Sequence, residues 1–158
     1  MMIANINYKG ELATGELDKI IFPRRKMPPV QHRIKNFDGS CMLVFPSGKF
    51  RLMGVKKPLT PRQFVRLPLL PKSVELQSAT IVKNLGQSIS LITLTNRLTS
   101  KRCSFEPELF PAARLLQFNP LCVNVFATGT IVLMGVKDLK TVNKLISNVR
   151  TVILDAVN

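Results

Sequence analysis

The sequence predicts an α+β protein in which one strand-rich unit is used twice. Three observations carry this. The stretch Phe45-Pro-Ser-Gly-Lys-Phe-Arg-Leu-Met-Gly-Val-Lys56 returns without gaps as Phe126-Ala-Thr-Gly-Thr-Ile-Val-Leu-Met-Gly-Val-Lys137, 81 residues later in a chain of 158. Apolar residues alternate on either side of both glycine-containing turns, as strands of a hairpin require. A helical stripe of Leu139, Val142, Leu145, Ile146, Val149, Val152 and Ile153 closes the chain.

Alternation assigns the faces, because successive strand side chains point to opposite sides. In the first copy Met42, Val44, Phe50 and Leu52 share a wholly apolar face, and Leu43, Phe45, Arg51 and Met53 share the other. In the second copy the apolar set is Val123, Val125, Ile131 and Leu133, opposite Asn124, Phe126, Val132 and Met134. The apolar sets are core faces. The second faces, each with a Phe at its turn, meet either a second core layer or a partner.

Taken in order, Ile3–Tyr8 reads as a strand and Gly15–Ile21 as at most two helical turns. Phe22–Pro29 is a basic, proline-rich loop that cannot be helical. Strands follow over Val30–Lys35, Ser40–Phe45 and Phe50–Val55, separated by turns at Asn36–Gly39 and Pro46–Lys49. Thr60 is placed to cap a short helix with Pro61 at its first position, stopped by Pro68 and Pro71. In the second half Ala79–Leu85 reads as a strand that Gly86–Leu91 continues, and Thr93–Arg102 as a short basic helix or loop. Ser104–Pro111 is a loop, Ala113–Phe118 and Leu121–Phe126 are strands around an Asn119-Pro120 turn, and Asp138 to about Val157 is the long helix. The repeats span residues 1–75 and 76–158. Helices on one side of a shared sheet leave the opposite face bare.

Charge narrows the function. Lys and Arg number 23 against 9 Asp and Glu, a net +14, which points to a polyanion and most directly to nucleic acid. No run of about 18 apolar residues is present, so no membrane span and no membrane partner are expected. The amino-terminal Met1–Asn5 reads as the start of a strand, without a signal pattern. Cys41, Cys103 and Cys122 are scattered, fit a reducing compartment and read as small buried filler. With one histidine, His32, no metal-ligand cluster, no glycine-rich phosphate loop and few carboxylates, neither catalysis nor a cofactor nor a metal is expected.

Ser104-Phe-Glu-Pro-Glu-Leu-Phe-Pro111, followed by the second echo stretch, resembles the core domain of the TATA-box-binding protein family, and Phe45-Pro-Ser-Gly-Lys49 matches equally well. The resemblance covers nearly the whole chain. It implies a saddle: two pseudo-symmetric repeats share one curved antiparallel sheet that sits on the DNA minor groove, with helices on the convex side. It implies paired wedges that kink the duplex at Phe45 and Phe126, with outer partners Met27 and Phe110. Asn5 and Asn84 match the family's two symmetric asparagines near the centre of the site. Leu43, Arg51, Met53, Asn124, Val132 and Met134 fall on the groove-facing side, with Met53 and Met134 where the family has Thr, Arg51 where it has Val and Asn124 where it has Leu. Arg33, Lys49, Lys56 and Lys137 match phosphate-contacting positions. Glu106, Glu108 and Leu109 match the loop that docks general transcription factor IIB, while the first-half counterpart around Phe22–Met27 is basic and shortened. The chain reads as a shortened, divergent member of the family.

The leading reading is therefore a non-enzymatic transcription initiation factor. Its partners would be an A/T-rich promoter duplex, a IIB-like factor and the RNA polymerase machinery, in the nucleus or at a site of viral transcription. The competing reading is a saddle that serves as a protein-interaction platform with DNA contact weakened or lost. A third, an enzyme or the accessory domain of one, is disfavoured by the single histidine and the few carboxylates.

Overall fold

The computed structural model describes residues 2–22, 31–36 and 39–158. The strands are β1 (Met2–Leu12), β2 (His32–Lys35), β3 (Cys41–Val44), β4 (Lys49–Val55), β5 (Pro71–Asn84), β6 (Cys103–Ser104), β7 (Ala112–Leu115), β8 (Cys122–Phe126) and β9 (Thr130–Val136). The α-helices are α1 (Pro61–Phe64), α2 (Leu91–Arg102) and α3 (Val142–Val157). Hydrogen bonding orders the strands β2-β3-β4-β1-β5-β9-β8-β7-β6 in an antiparallel sheet. The chain divides into two compact units, residues 5–78 and 79–158, the latter together with the residues up to Ala4.

In the first unit the face expected to be core is core. Met42, Val44, Phe50 and Leu52 are at most 1% exposed. They are joined by Ile6, Tyr8 and Val55. Tyr8 anchors the short α1: its ring meets Phe64 edge-to-face at 5.1 Å, and its hydroxyl accepts the Leu59 N–H at 2.9 Å. Thr60 stands at the N-cap as expected, and Gln63 Oε1 reaches back to accept its N–H at 2.7 Å. The second unit repeats the arrangement. Val123, Val125, Ile131 and Leu133 are fully buried, together with Leu94 and Leu98 of α2 and Ile146, Val149 and Ile153 of α3. Truncating Leu94, Ile131, Leu133 or Ile153 to Ala should remove about 2–5 kcal/mol, by lost transfer energy plus the cavity left behind.

Several expectations change. The chain does not run on as a strand from Gly86: it turns there, and the Ser90 hydroxyl accepts the Thr93 N–H to start α2 at Leu91. The strand expected over Ala113–Phe118 is shorter, because Leu116–Phe118 coil into a 3-10 turn. The first strand is longer, reaching Leu12, so Lys9 and Glu11 join it. The 3-10 turn at Glu16–Lys19 takes the place of the first short helix.

The hairpin turns are built alike. The Gly48 N–H bonds Phe45 O and the Gly129 N–H bonds Phe126 O, each at 2.9 Å. Their carbonyls then receive Leu12 N–H and Leu85 N–H, each at 2.9 Å. Both glycines lie in the left-handed region, at φ 84 and 87°. They differ in space. A Cβ on Gly48 would meet nothing within 4 Å, whereas one on Gly129 would sit 1.9 Å from the Gln87 carbonyl oxygen. Gly48→Ala should therefore cost about 1–2 kcal/mol in chemical denaturation, the left-handed penalty alone. Gly129→Ala should cost clearly more, and equal losses would contradict this geometry.

Glu16 ties the first 3-10 turn to the approach of β5. It accepts Lys19 Nζ at 2.8 Å and the Leu70 N–H at 3.1 Å. The Lys19 hydrogen bond first, then that of Leu70, hold the carboxyl below the usual carboxylate range against the upward push of burial. A folded pKa below the unfolded one gives stability that is present above the unfolded value and lost as pH falls through the folded one. The stability gap between wild type and Glu16→Gln should be widest above pH ~6 and shrink toward pH ~3. A gap that did not change with pH would rule out the ionised clamp.

Candidate nucleic-acid interface

Opposite each core face lies an open one, and its residues come in cross-strand rows. In the first unit Arg33, Leu43, Arg51 and Lys9 form one row and Lys35, Cys41 and Met53 the next. In the second unit the rows are Ser104, Arg114, Asn124, Val132 and Val82, then Cys122, Met134 and Thr80. Met53 and Met134 are 39% and 37% exposed, against 0% for Leu52 and Leu133 beside them. Leu43 and Val132 are half-buried within their rows.

The aromatic residues cap these faces. Phe126 ends β8 and pairs edge-to-face with Phe110, the ring centres 5.9 Å apart. Phe110 is 49% exposed. Ala112, directly across from Phe126, is buried. Phe45 is half-buried at the matching hairpin, beside a cavity of about 810 Å3 whose lining includes Lys9, Lys49, Arg51 and Glu75. Met27, expected as the outer partner of Phe45, lies outside the described residues.

The symmetric placement expected of Asn5 and Asn84 is not found. The register pairs Glu11 with Lys49 and Asn84 with Thr130, and Lys49 and Thr130 are the equivalent residues of the two hairpins. Glu11 is therefore the counterpart of Asn84, and Ser78 is that of Asn5. The cause is length: the second repeat carries the 12-residue α2 where the first has a four-residue 3-10 turn. Asn84 is the last residue of β5, where its Nδ2 donates to Thr130 Oγ1 at 3.1 Å and its Oδ1 accepts the Gly86 N–H at 2.7 Å. Asn5 lies on β1 with its Oδ1 shut off from solvent and unpartnered, and Asn7 two residues on is in the same state.

Asn124 is only 7% exposed on the open side. It sits in a cavity of about 350 Å3 with Phe110, Leu109, Glu106 and Arg114, and Cys122 Sγ lies 3.9 Å from its Oδ1. The loop beside it is held by the Leu109 and Phe110 N–H groups, which both donate to Glu106 O at 2.9 and 3.0 Å. That turn leaves Leu109 79% exposed, with Glu106 and Glu108 also exposed.

Among the cations, Arg33, Lys49, Arg51, Lys56 and Lys137 are all exposed. Arg33 Nε donates to Cys41 Sγ at 2.9 Å, which fixes the guanidinium against the sheet. Lys56 and Lys137 follow the last residues of β4 and β9 in the two units. Sequence reading passed over Lys9, Ser78 and Arg114. Extending the alternation of Asn5 and Asn7 would have reached Lys9, and Arg114 stands between the buried Ala113 and Leu115.

With this geometry in hand, the chain can be set against known proteins. A family model described as "Transcription factor TFIID (or TATA-binding protein, TBP)" matches residues 73–156. A TATA-box-binding protein-like 1 of Entamoeba histolytica is 31% identical over 127 residues, which cover 73% of this chain and 58% of that protein's length. The chain thus matches under two thirds of that relative. The solved structure of Methanococcus jannaschii TBP is similar in fold, with a TM-score of 0.77 at 18% identity over 98% of both chains.

Proposed function

Since this chain belongs to the TATA-binding protein family, we propose that it is a transcription initiation factor that binds promoter DNA through the minor groove and bends it. The observation that carries the reading is the Phe110–Phe126 pair, held on the open side of a sheet whose other side is fully buried. An apolar wedge inserted at a base step unstacks it and bends the duplex, which brings more protein surface onto the groove. Phe45 is the equivalent wedge of the first repeat, and Met27 its outer partner.

The exposed cations supply the sequence-independent part of the affinity, with Arg33, Lys49, Lys56 and Lys137 on phosphates. Base readout is weak in this reading. Met53 and Met134 offer no strong hydrogen bond, and Asn84 has already committed its carboxamide. The minor groove distinguishes little beyond A·T from G·C in any case. An A/T-rich site is favoured for its deformability rather than its base edges. Exposed Leu109, flanked by Glu106 and Glu108, is the contact for a IIB-like factor, which in turn brings the polymerase machinery in the nucleus. The role is one of binding, not catalysis.

A second reading, an interaction platform with weak DNA contact, draws on Glu11 and Glu75 beside Lys9 and Phe45. Lys9 lies 3.5 Å from Glu75, so part of that positive charge is neutralised. Gel shift on A/T-rich duplexes separates the two readings, since only the first expects tight binding.

Phe45→Ala combined with Phe126→Ala should abolish bending read by end-to-end fluorescence transfer, and an unchanged bend would remove the mechanism. Four phosphate contacts predict a slope of log K against log salt of about −3 to −4, and Lys49→Gln should reduce its size by about 1. A flat salt dependence would exclude this phosphate footprint.

A further inference from the structure

The two repeats begin a helix at equivalent positions, Pro61 and Val142, and then differ. Helix α3 runs 16 residues, about 24 Å, and buries Ile146, Val149 and Ile153. Helix α1 runs four residues, about 6 Å. Pro68 and Pro71 then forbid a helical continuation, and the chain enters β5. The first unit is left with a groove of about 660 Å3, with Leu52 beneath, Leu59, Leu67 and Pro68 along it, and the exposed Lys35 and Arg66 at its edge. Asn36, which also lines it, has a side-chain oxygen without a partner. Next to it in sequence, Val65 and Leu70 are 63% and 43% exposed.

We propose that this groove takes an acidic amphipathic helix of a partner protein, lying where the second repeat uses its own α3. Charge and polarity together select that occupant. The charged residues of the groove lining are Lys35 and Arg66, both cationic, so a partner with carboxylates along its flanks is matched. The apolar lining needs aliphatic side chains at helical spacing, which a nucleic acid lacks. About three turns fill the length by which α3 exceeds α1. The proposal is independent of DNA contact on the open side of the sheet.

The test uses the full chain and a fluorescein-labelled synthetic peptide that keeps the buried residues of α3 and carries Glu at its exposed positions. Fluorescence anisotropy at ~0.15 M salt should show saturable binding with Kd on the order of 10–100 μM. A scrambled peptide of the same composition should bind about tenfold more weakly, since it keeps the charge and loses the apolar stripe. Arg66→Glu, an exposed change that leaves the core intact, should weaken binding about fivefold or more without altering the melting temperature. Leu67→Asp should weaken it further. Any of four results overturns the proposal: no saturation to ~1 mM, equal binding of the scrambled peptide, indifference to Arg66→Glu, or displacement of the peptide by a short DNA duplex whose own affinity falls with Arg66→Glu.

Discussion

Burial of Met42, Val44, Phe50 and Leu52 in one unit, and of Val123, Val125, Ile131 and Leu133 in the other, decides which way every neighbouring side chain faces. A strand repeats every two residues, so a slip by one would carry each of these onto the open side. The hairpin turns prevent that slip. Each fixes its register through the same pair of backbone bonds and the same left-handed glycine. The side chains of the open face are thus positioned by buried ones on the other. Phe45 and Phe126 stand where they do because their alternating neighbours have no other place to go.

The two faces differ in kind as well as in exposure. The buried one is uniformly aliphatic or aromatic. The open one mixes cations, sulfur and a few amides, and Lys9 on it pairs with Glu75. An excess of surface cations favours long-range attraction to a polyanion and contributes little to folding. Sulfur at Cys41, Met53, Cys122 and Met134 supplies polarizable contact without directional preference.

Much of this was legible in the residues. The echo of Phe45–Lys56 in Phe126–Lys137, read with the period of two, gave both hairpins and the correct burial of eight core side chains. Thr60, Pro61 and the stripe from Val142 onward located α1 and α3. What was hidden depended on distance along the chain. The echo holds at 81 residues only within and after the hairpins. Ahead of them the longer α2 alters the spacing, so Asn5 and Asn84 looked like equivalents while the register makes Glu11 the first-repeat counterpart of Asn84. Gly86 read as part of a strand because Ile89 and Leu91 alternate around it, yet they are buried on the way into a helix. The depth of Asn124 was equally invisible, since it comes from the Glu106–Phe110 turn folding over it.

Unequal buttressing of the two repeats has a dynamic consequence. A four-residue helix follows the hairpin of β3 and β4, where one of 16 follows that of β8 and β9. Local opening is cheapest where few apolar contacts hold a segment down. Amide protons of β3 and β4 should therefore exchange with solvent sooner than those of β8 and β9.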